Sequence, residues 1–400
     1  MKRILFVIAL LLIGLPVGSA AADPQCAAPT GVYTGPVPWA QTLLAPGRTA
    51  PLSNGSGVQV AVLGTGVDPG NAQFAAGQVL PEIDLLNGTP SAPDCDGQGT
   101  FAAGIVGAQL NPATTFAGLA PGARILPVRY TATSDPAGGA DPNVLATAID
   151  RAVQAGSSVV LIMVPATVDS NTLQLAVQNA TAVGDVVIAP AVGNSPNATS
   201  YPTAIPGVIG VGGLSQAGTA VQAESGGYIA LAAPAANLVG TAPGARGQLG
   251  EDWSVTGAAY AAAYVAGATA LLRSYQPGLD PEQVSTRLIL TAGHDGGIGH
   301  SPRLGWGVVD PDNALTTNLS PNAIAPTIGG TPHATTHPAP AATHASGWTP
   351  RRFGLLLLLV VGVVAIVIVV CALVRRGRSR RPGTAGDKPP NFPLHVDSNR

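Results

Sequence analysis

The chain has little charge: a tenth of its 400 residues are Asp, Glu, Lys or Arg, with 19 basic side chains against 21 acidic ones. That balance offers no basic face to neutralise phosphates, so nucleic acid is not an expected partner. Aromatics are scarce at 4%, and histidine is absent before His294, so the first two thirds of the chain hold no imidazole for acid–base work. There is no metal-ligand spacing and no phosphate-binding loop, and no cofactor is expected. What is plentiful is Gly and Pro, which with the low charge suits one large domain with appendages.

Two apolar runs stand apart from the body. Ile4 to Val17 follows Lys2 and Arg3 and precedes Gly18-Ser19-Ala20-Ala21-Ala22. This order predicts a secretory signal peptide over 1–22, cleaved before Asp23; an uncleaved anchor would orient the body the same way. Gly354 to Val374 carries no charge and is long enough to cross a hydrocarbon layer of about 30 Å, which predicts one transmembrane helix over 354–374. A buried core helix is the competing reading, and the basic flanks argue against it. Arg375, Arg376, Arg378, Arg380 and Arg381 outnumber Arg351 and Arg352 across the run, placing the tail 375–400 in the cytoplasm and the body outside. Cys26 and Cys95 are then the only cysteines of the exported body, because Cys371 lies in the membrane run. One pairing is available, contributing roughly 4 kcal/mol by chain entropy; two free thiols are the alternative.

Residues 23–57 are punctuated by Pro and Gly and read as an extended arm. Val58 to Leu63 is an apolar strand running into Gly64-Thr65-Gly66-Val67, the kind of strand end that delivers site residues to the carboxyl edge of an open α/β sheet. Ser158 to Val164 and Val186 to Ala189 read as further strands, and Val144 to Ala155 and Thr172 to Val183 as helices. Strands alternating with helices predict a mainly parallel sheet covered on both faces. Gly257 to Arg273 is built almost wholly of small residues, which suits a helix approached closely on every side at the centre of a layered domain. Asp280-Pro281-Glu282-Gln283 opens another helix. The domain is bounded at 58–317. Residues 318–350, rich in Pro, Thr and Ala, cannot bury a core and read as a stalk whose His333, His337 and His344 are solvated.

Several motifs point further. They are Gly64-Thr65-Gly66, Asp94-Cys95-Asp96-Gly97-Gln98-Gly99-Thr100, Gly118-Leu119-Ala120-Pro121, Ala191-Val192-Gly193-Asn194, Tyr201-Pro202-Thr203-Ala204-Ile205-Pro206-Gly207-Val208 and Gly257-Ala258-Ala259-Tyr260-Ala261-Ala262-Ala263-Tyr264-Val265. Together they resemble the motifs of subtilisin-like proteases, and most closely those of mycosins, membrane-anchored subtilases of actinobacterial type VII secretion. The resemblance implies a three-layer α/β subtilisin-like fold with a mainly parallel central sheet, followed by a single C-terminal transmembrane helix. It implies that 23–57 wraps the domain, and that a bridge between Cys26 and Cys95 ties this arm to the segment before the histidine motif. It also implies an aspartate at the position of Gly64, a histidine at Gln98, a nucleophilic serine at Ala259 and an oxyanion donor at Asn194. The bland reading of Asn194, a turn residue satisfying local backbone, outweighs that role once the nucleophile is gone.

The chemistry those positions would need is missing. Gln98 donates and accepts hydrogen bonds but has no pKa near neutrality and cannot act as a general base. Asp68, four positions beyond Gly64, projects from a different place, and no base is evident beside Ser254 or Thr256. The expectation is a pseudoprotease on the extracytoplasmic side of the cytoplasmic membrane, acting as a scaffold of a type VII secretion complex without metal or cofactor. Two alternatives stand beside it: a module that holds secreted peptides in the degenerate cleft by strand addition, and an active serine endopeptidase with rewired residues.

Overall fold

A computed structural model describes residues 28–86, 94–293, 299–320 and 323–325. The predicted signal peptide, Cys26, most of the stalk, the membrane run and the tail lie outside the described residues. Among the described residues no helix is long and apolar enough to cross a membrane.

The arm is less extended than its composition implies. It forms two short helices, α1 (Trp39–Leu44) and α2 (Pro46–Thr49), separated by Ala45 in the left-handed region at φ 45°. Pro46 opens α2, where its missing N–H costs nothing. Trp39 Nε1 donates to the Ala236 carbonyl at 2.8 Å, and Ser53 Oγ to that of Leu271 at 2.8 Å, so the arm is bonded to the body at its middle and near its C-terminal end.

The body alternates β1 (Gln59–Gly64), β2 (Ile83–Asp84), α3 (Gln98–Gly107), β3 (Arg124–Arg129), α4 (Pro142–Gln154), β4 (Val159–Ile162), α5 (Asn171–Ala182), β5 (Val186–Pro190), β6 (Val208–Leu214) and β7 (Ile229–Pro234). These strands form one parallel sheet in the order β2-β3-β1-β4-β5-β6-β7. Every residue of β1 and of β4 to β7 is buried, as in strands covered on both faces. The hairpin β8 (Leu238–Thr241) and β9 (Glu251–Val255) leads into α6 (Ala259–Tyr275), followed by α7 (Pro281–Leu290) and α8 (Pro311–Thr316).

Helices α4 and α5 pack together on one face of the sheet, α3 and α6 on the other. Helix α6 is buried without a break from Ala261 to Leu272. Its small side chains make this close packing geometrically feasible: a Cβ on Gly267 would lie 3.0 Å from Leu119 Cβ. Helix starts follow the capping chemistry. Asp141 accepts from the Asn143 and Val144 amides, which begins α4 two residues before the apolar periodicity does, and Asp280 with Gln283 closes a capping box on α7. Strand order reverses around β1, so the crevice at its carboxyl end, beside Gly64, is where an open α/β sheet places a site.

Candidate active site

Gly64 ends β1, and its carbonyl accepts the amides of Tyr130 at 3.1 Å and Thr131 at 3.4 Å. Gln98 is the first residue of α3. The unpaired N–H groups of that helix start are taken by two acids and by Thr65, whose Oγ1 accepts from Gly99 N at 3.1 Å. Asp94 accepts from Gly97 N at 3.0 Å, Thr100 N at 2.8 Å and Thr100 Oγ1 at 2.6 Å, and Asp96 accepts from Gln98 N at 3.3 Å. Burial pushes the Asp94 carboxyl up, while the Thr100 hydroxyl and amide pull it back. The acids of the motif therefore serve the helix end.

The Gln98 side chain is 8% exposed, and its Oε1 is buried without a hydrogen-bond partner. That oxygen lies 4.0 Å from where a Cβ on Gly64 would stand, so the fold sets these two positions side by side. Ala259 opens α6 and is 6% exposed. The rings of Phe101 and Tyr260 meet at 4.7 Å between centroids, tilted by 51°, and this contact brings the helix starts carrying Gln98 and Ala259 together at one end of the sheet. Burial pushes the Tyr260 phenol up, with the carboxylates of Asp96, Asp94 and Asp252 adding to the shift.

The one described histidine, His300, has Nε2 2.7 Å from the Ile229 carbonyl and packs edge-on to Trp306, at the start of β7. Asp68 accepts from Gly70 N at 2.8 Å and Gly244 N at 2.6 Å, so its carboxylate ties two loops together. Ser254 is an exposed residue of β9 at φ 61°, and Thr256 Oγ1 accepts from Asn237 N. Asn194 lies exposed on the loop after β5. The loop is held from beneath by fully buried Glu224, which accepts from Gly193 N at 2.7 Å, Ser200 N at 2.8 Å, Ser200 Oγ at 2.6 Å and Tyr228 OH at 2.7 Å. Among the described residues no group of three His, Cys, Asp or Glu is arranged to hold a metal.

Three features of the site escape sequence reasoning. Met163, just beyond β4 and 1% exposed, faces Gly64: a Cβ there would be 3.2 Å from Met163 Cβ and 3.7 Å from its Cγ. Tyr130 is buried with its hydroxyl donating to the Val164 carbonyl, and burial pushes that phenol up. Ser134 donates its amide and hydroxyl to Asp96 Oδ2 at 2.9 and 3.0 Å, fastening the loop after β3 beside Gln98. The one available signal is that Met163 is the only methionine besides Met1. Nearby, Glu82 takes the Val67 amide at 3.2 Å; burial raises its carboxyl to about 7, against the pull of that amide and of Arg129.

The subtilase (peptidase S8) family matches residues 55–307. The chain belongs to the subtilase family. Within it, the chain is 31% identical over 417 residues to Mycosin-1 of Mycobacterium tuberculosis, covering 89% of each protein, and 31% identical over 386 residues to Mycosin-3 of the same organism, covering 77% of this chain and 82% of that one. Among solved structures it resembles MycP1 from Mycobacterium smegmatis, with a TM-score of 0.64 at 28% identity over 76% of this chain and 91% of that one. It also resembles the MycP3 protease from the type VII (ESX-3) secretion system, with a TM-score of 0.63 at 30% identity over 74% and 94%.

Proposed function

We propose that this chain is a catalytically inactive, mycosin-like subtilase that serves as a membrane-anchored, extracytoplasmic structural component of a type VII secretion assembly. The observation that carries the reading is the set Gly64, Gln98 and Ala259 at the carboxyl edge of the sheet, where the family's aspartate, histidine and serine would stand. Gly64 has no carboxylate to orient a base, Gln98 cannot take a proton, and Ala259 has nothing to attack with. Asn194 is left as an oxyanion-type donor with no intermediate to stabilise. Loss of all three groups leaves at most weak stabilisation by binding, far short of proteolysis.

The rest of the reading follows from the chain's layout. A signal peptide over 1–22 and a membrane helix over 354–374 put the body 23–350 outside and the tail inside. Cys95 is one half of a disulfide, and we assign Cys26 as its partner, tying the arm to the start of α3. The role in secretion rests on similarity to proteins of that system, MycP3 among them.

The test is affinity purification of the tagged full-length chain from gently solubilised native membranes, with partners identified by mass spectrometry and casein hydrolysis assayed on the same preparation. The expected result is co-purification with type VII membrane components and no hydrolysis. Hydrolysis by the unmodified chain overturns inactivity. Recovery alone, or with secreted peptides only, overturns the structural role and favours peptide capture.

A further inference from the structure

A peptide captured by strand addition needs a backbone edge with free, alternating N–H and C=O groups beside the site. The backbone that leaves β4 next to Gly64, residues 163–166, is where such an edge would lie, and most of its polar groups are already taken. Met163 N donates to the Leu63 carbonyl at 2.9 Å, and the Val164 carbonyl takes the Tyr130 hydroxyl. Pro165 has no N–H to give, and its carbonyl accepts Ala140 N at 3.3 Å. Ala166 exchanges both of its backbone bonds with Tyr201, at 2.8 and 2.9 Å, while Gly139 bridges it antiparallel from the opposite side. Thr167 Oγ1 then donates to the Gly138 carbonyl at 2.6 Å.

Residues 164–166 therefore sit as a middle strand between 138–140 and Tyr201. The two segments approach so closely that a Cβ on Gly139 would lie 2.7 Å from Thr167 Cγ2 and 3.0 Å from Thr167 N. Gly138 and Gly139 both hold φ near +80°, at 80° and 81°, the conformation glycine adopts without penalty, and this lets the loop turn back onto its neighbour. The same loop is fastened at its other end by Ser134 on Asp96. A peptide entering here has to break the Ala140–Pro165 bond and then meets a proline where a donor is needed.

We infer that residues 138–140 pair with 164–166 to close the strand-adding edge beside Gly64, so that the degenerate cleft takes no extended peptide. The inference deepens the structural-component reading, on which it rests for the absence of cleavage, and it moves partner contacts off the cleft.

Hydrogen exchange on the full chain in detergent tests the pairing, with fluorescein-labelled unfolded casein as the peptide probe. The Ala140 and Ala166 amides are expected to exchange at least about 100-fold more slowly than in an unstructured peptide. No saturable casein binding is expected up to about 100 µM. Gly139→Val, which wedges a side chain against Thr167, is expected to remove most of the Ala140 protection while leaving the core amides of β1 slow. Should that variant unfold, Thr167→Ala, which deletes only the hydroxyl bond to Gly138, is expected to speed Ala140 exchange several-fold. Exchange of wild-type Ala140 at the unstructured rate, or saturable binding of uncut casein, overturns the closure while leaving inactivity intact. Cut casein overturns inactivity, and the exchange rates then decide the closure separately.

Discussion

Met163 stands against Gly64: its Cβ lies 3.2 Å from the point a Cβ on Gly64 would occupy. That separation is tighter than ordinary packing, while Met163 Cγ at 3.7 Å is in ordinary contact and belongs to a flexible side chain that can shift. Gly64 and Met163 thus meet across neighbouring strands, where a side chain at 64 would press on the backbone end of the methionine.

Gly64→Asp should therefore destabilise the protein by about 1–3 kcal/mol, because it overpacks a buried site and brings a carboxylate toward the unpartnered Gln98 Oε1. Met163→Ala alone should cost about 2–5 kcal/mol through the cavity it leaves. The double variant should lose less than the sum, and a denaturant-unfolding cycle on the four proteins reads the coupling directly. Strict additivity would mean that the two positions do not sense each other.

Restoring the chemistry and restoring proteolysis should come apart. Gly64→Asp, Gln98→His and Ala259→Ser together with Met163→Ala should hydrolyse a small activated ester such as p-nitrophenyl acetate at least about tenfold faster than wild type, since a nucleophile and its base would again be within reach. The same protein should leave casein uncut, because the edge at 164–166 stays paired. Casein cleavage by it would show that the edge opens readily.

Glu224 should be among the costliest polar residues to remove. It satisfies the donors Gly193 N, Ser200 N, Ser200 Oγ and Tyr228 OH from a fully buried position. Glu224→Ala strands them and should cost about 3 kcal/mol or more, with faster amide exchange across residues 193–200. Exchange there that stays at the wild-type rate would place the anchoring of the Asn194 loop elsewhere.

Glu82 should give the protein a distinctive pH dependence. Its carboxyl is raised to about 7 in the folded chain, by burial first of all, from an unfolded value of 4.5. Between those values the folded state holds a proton that the unfolded state has released, so this residue's contribution to stability falls as pH rises through the window. Glu82→Gln keeps an acceptor for the Val67 amide and removes the titration. Its melting temperature relative to wild type should be more favourable at about pH 8 than at about pH 4.5. A difference that does not change with pH would mean that Glu82 titrates normally.

The layered architecture was legible because its causes are local. Alternating apolar strands and amphipathic helices give a parallel sheet, the unbroken run of small residues gives a buried α6, and Asp280 with Pro281 and Gln283 marks the start of α7. Gln98 stands out through its motif, and the structure sets its Oε1 4.0 Å from where a Cβ on Gly64 would stand. What stayed hidden depends on register between distant segments. No periodicity says which side chain at the end of β4 faces the end of β1, so Met163 passes as one more core residue. The pairing of 138–140 with 164–166 joins two irregular stretches through single backbone bonds, and composition carries no trace of it. The arm misled in a simpler way: Pro and Gly suggested extension, while Ala45 in the left-handed region allowed two helices to follow one another.

The arm also pairs with the far end of the sequence. Gly31 and Glu251 exchange backbone bonds at 3.2 and 2.7 Å, and Thr30 bonds Asp252 across 222 positions. At a synthesis rate of about 5–20 residues per second, the first of these partners precedes the second by roughly 10 to 45 seconds. Throughout that interval Thr30 and Gly31 lack these partners, and the hairpin that feeds α6 is incomplete. The domain is closed by a clasp whose first half lies at the start of the arm and whose second half follows β1 to β8 and precedes α6, so it forms only when every strand of the central sheet already exists.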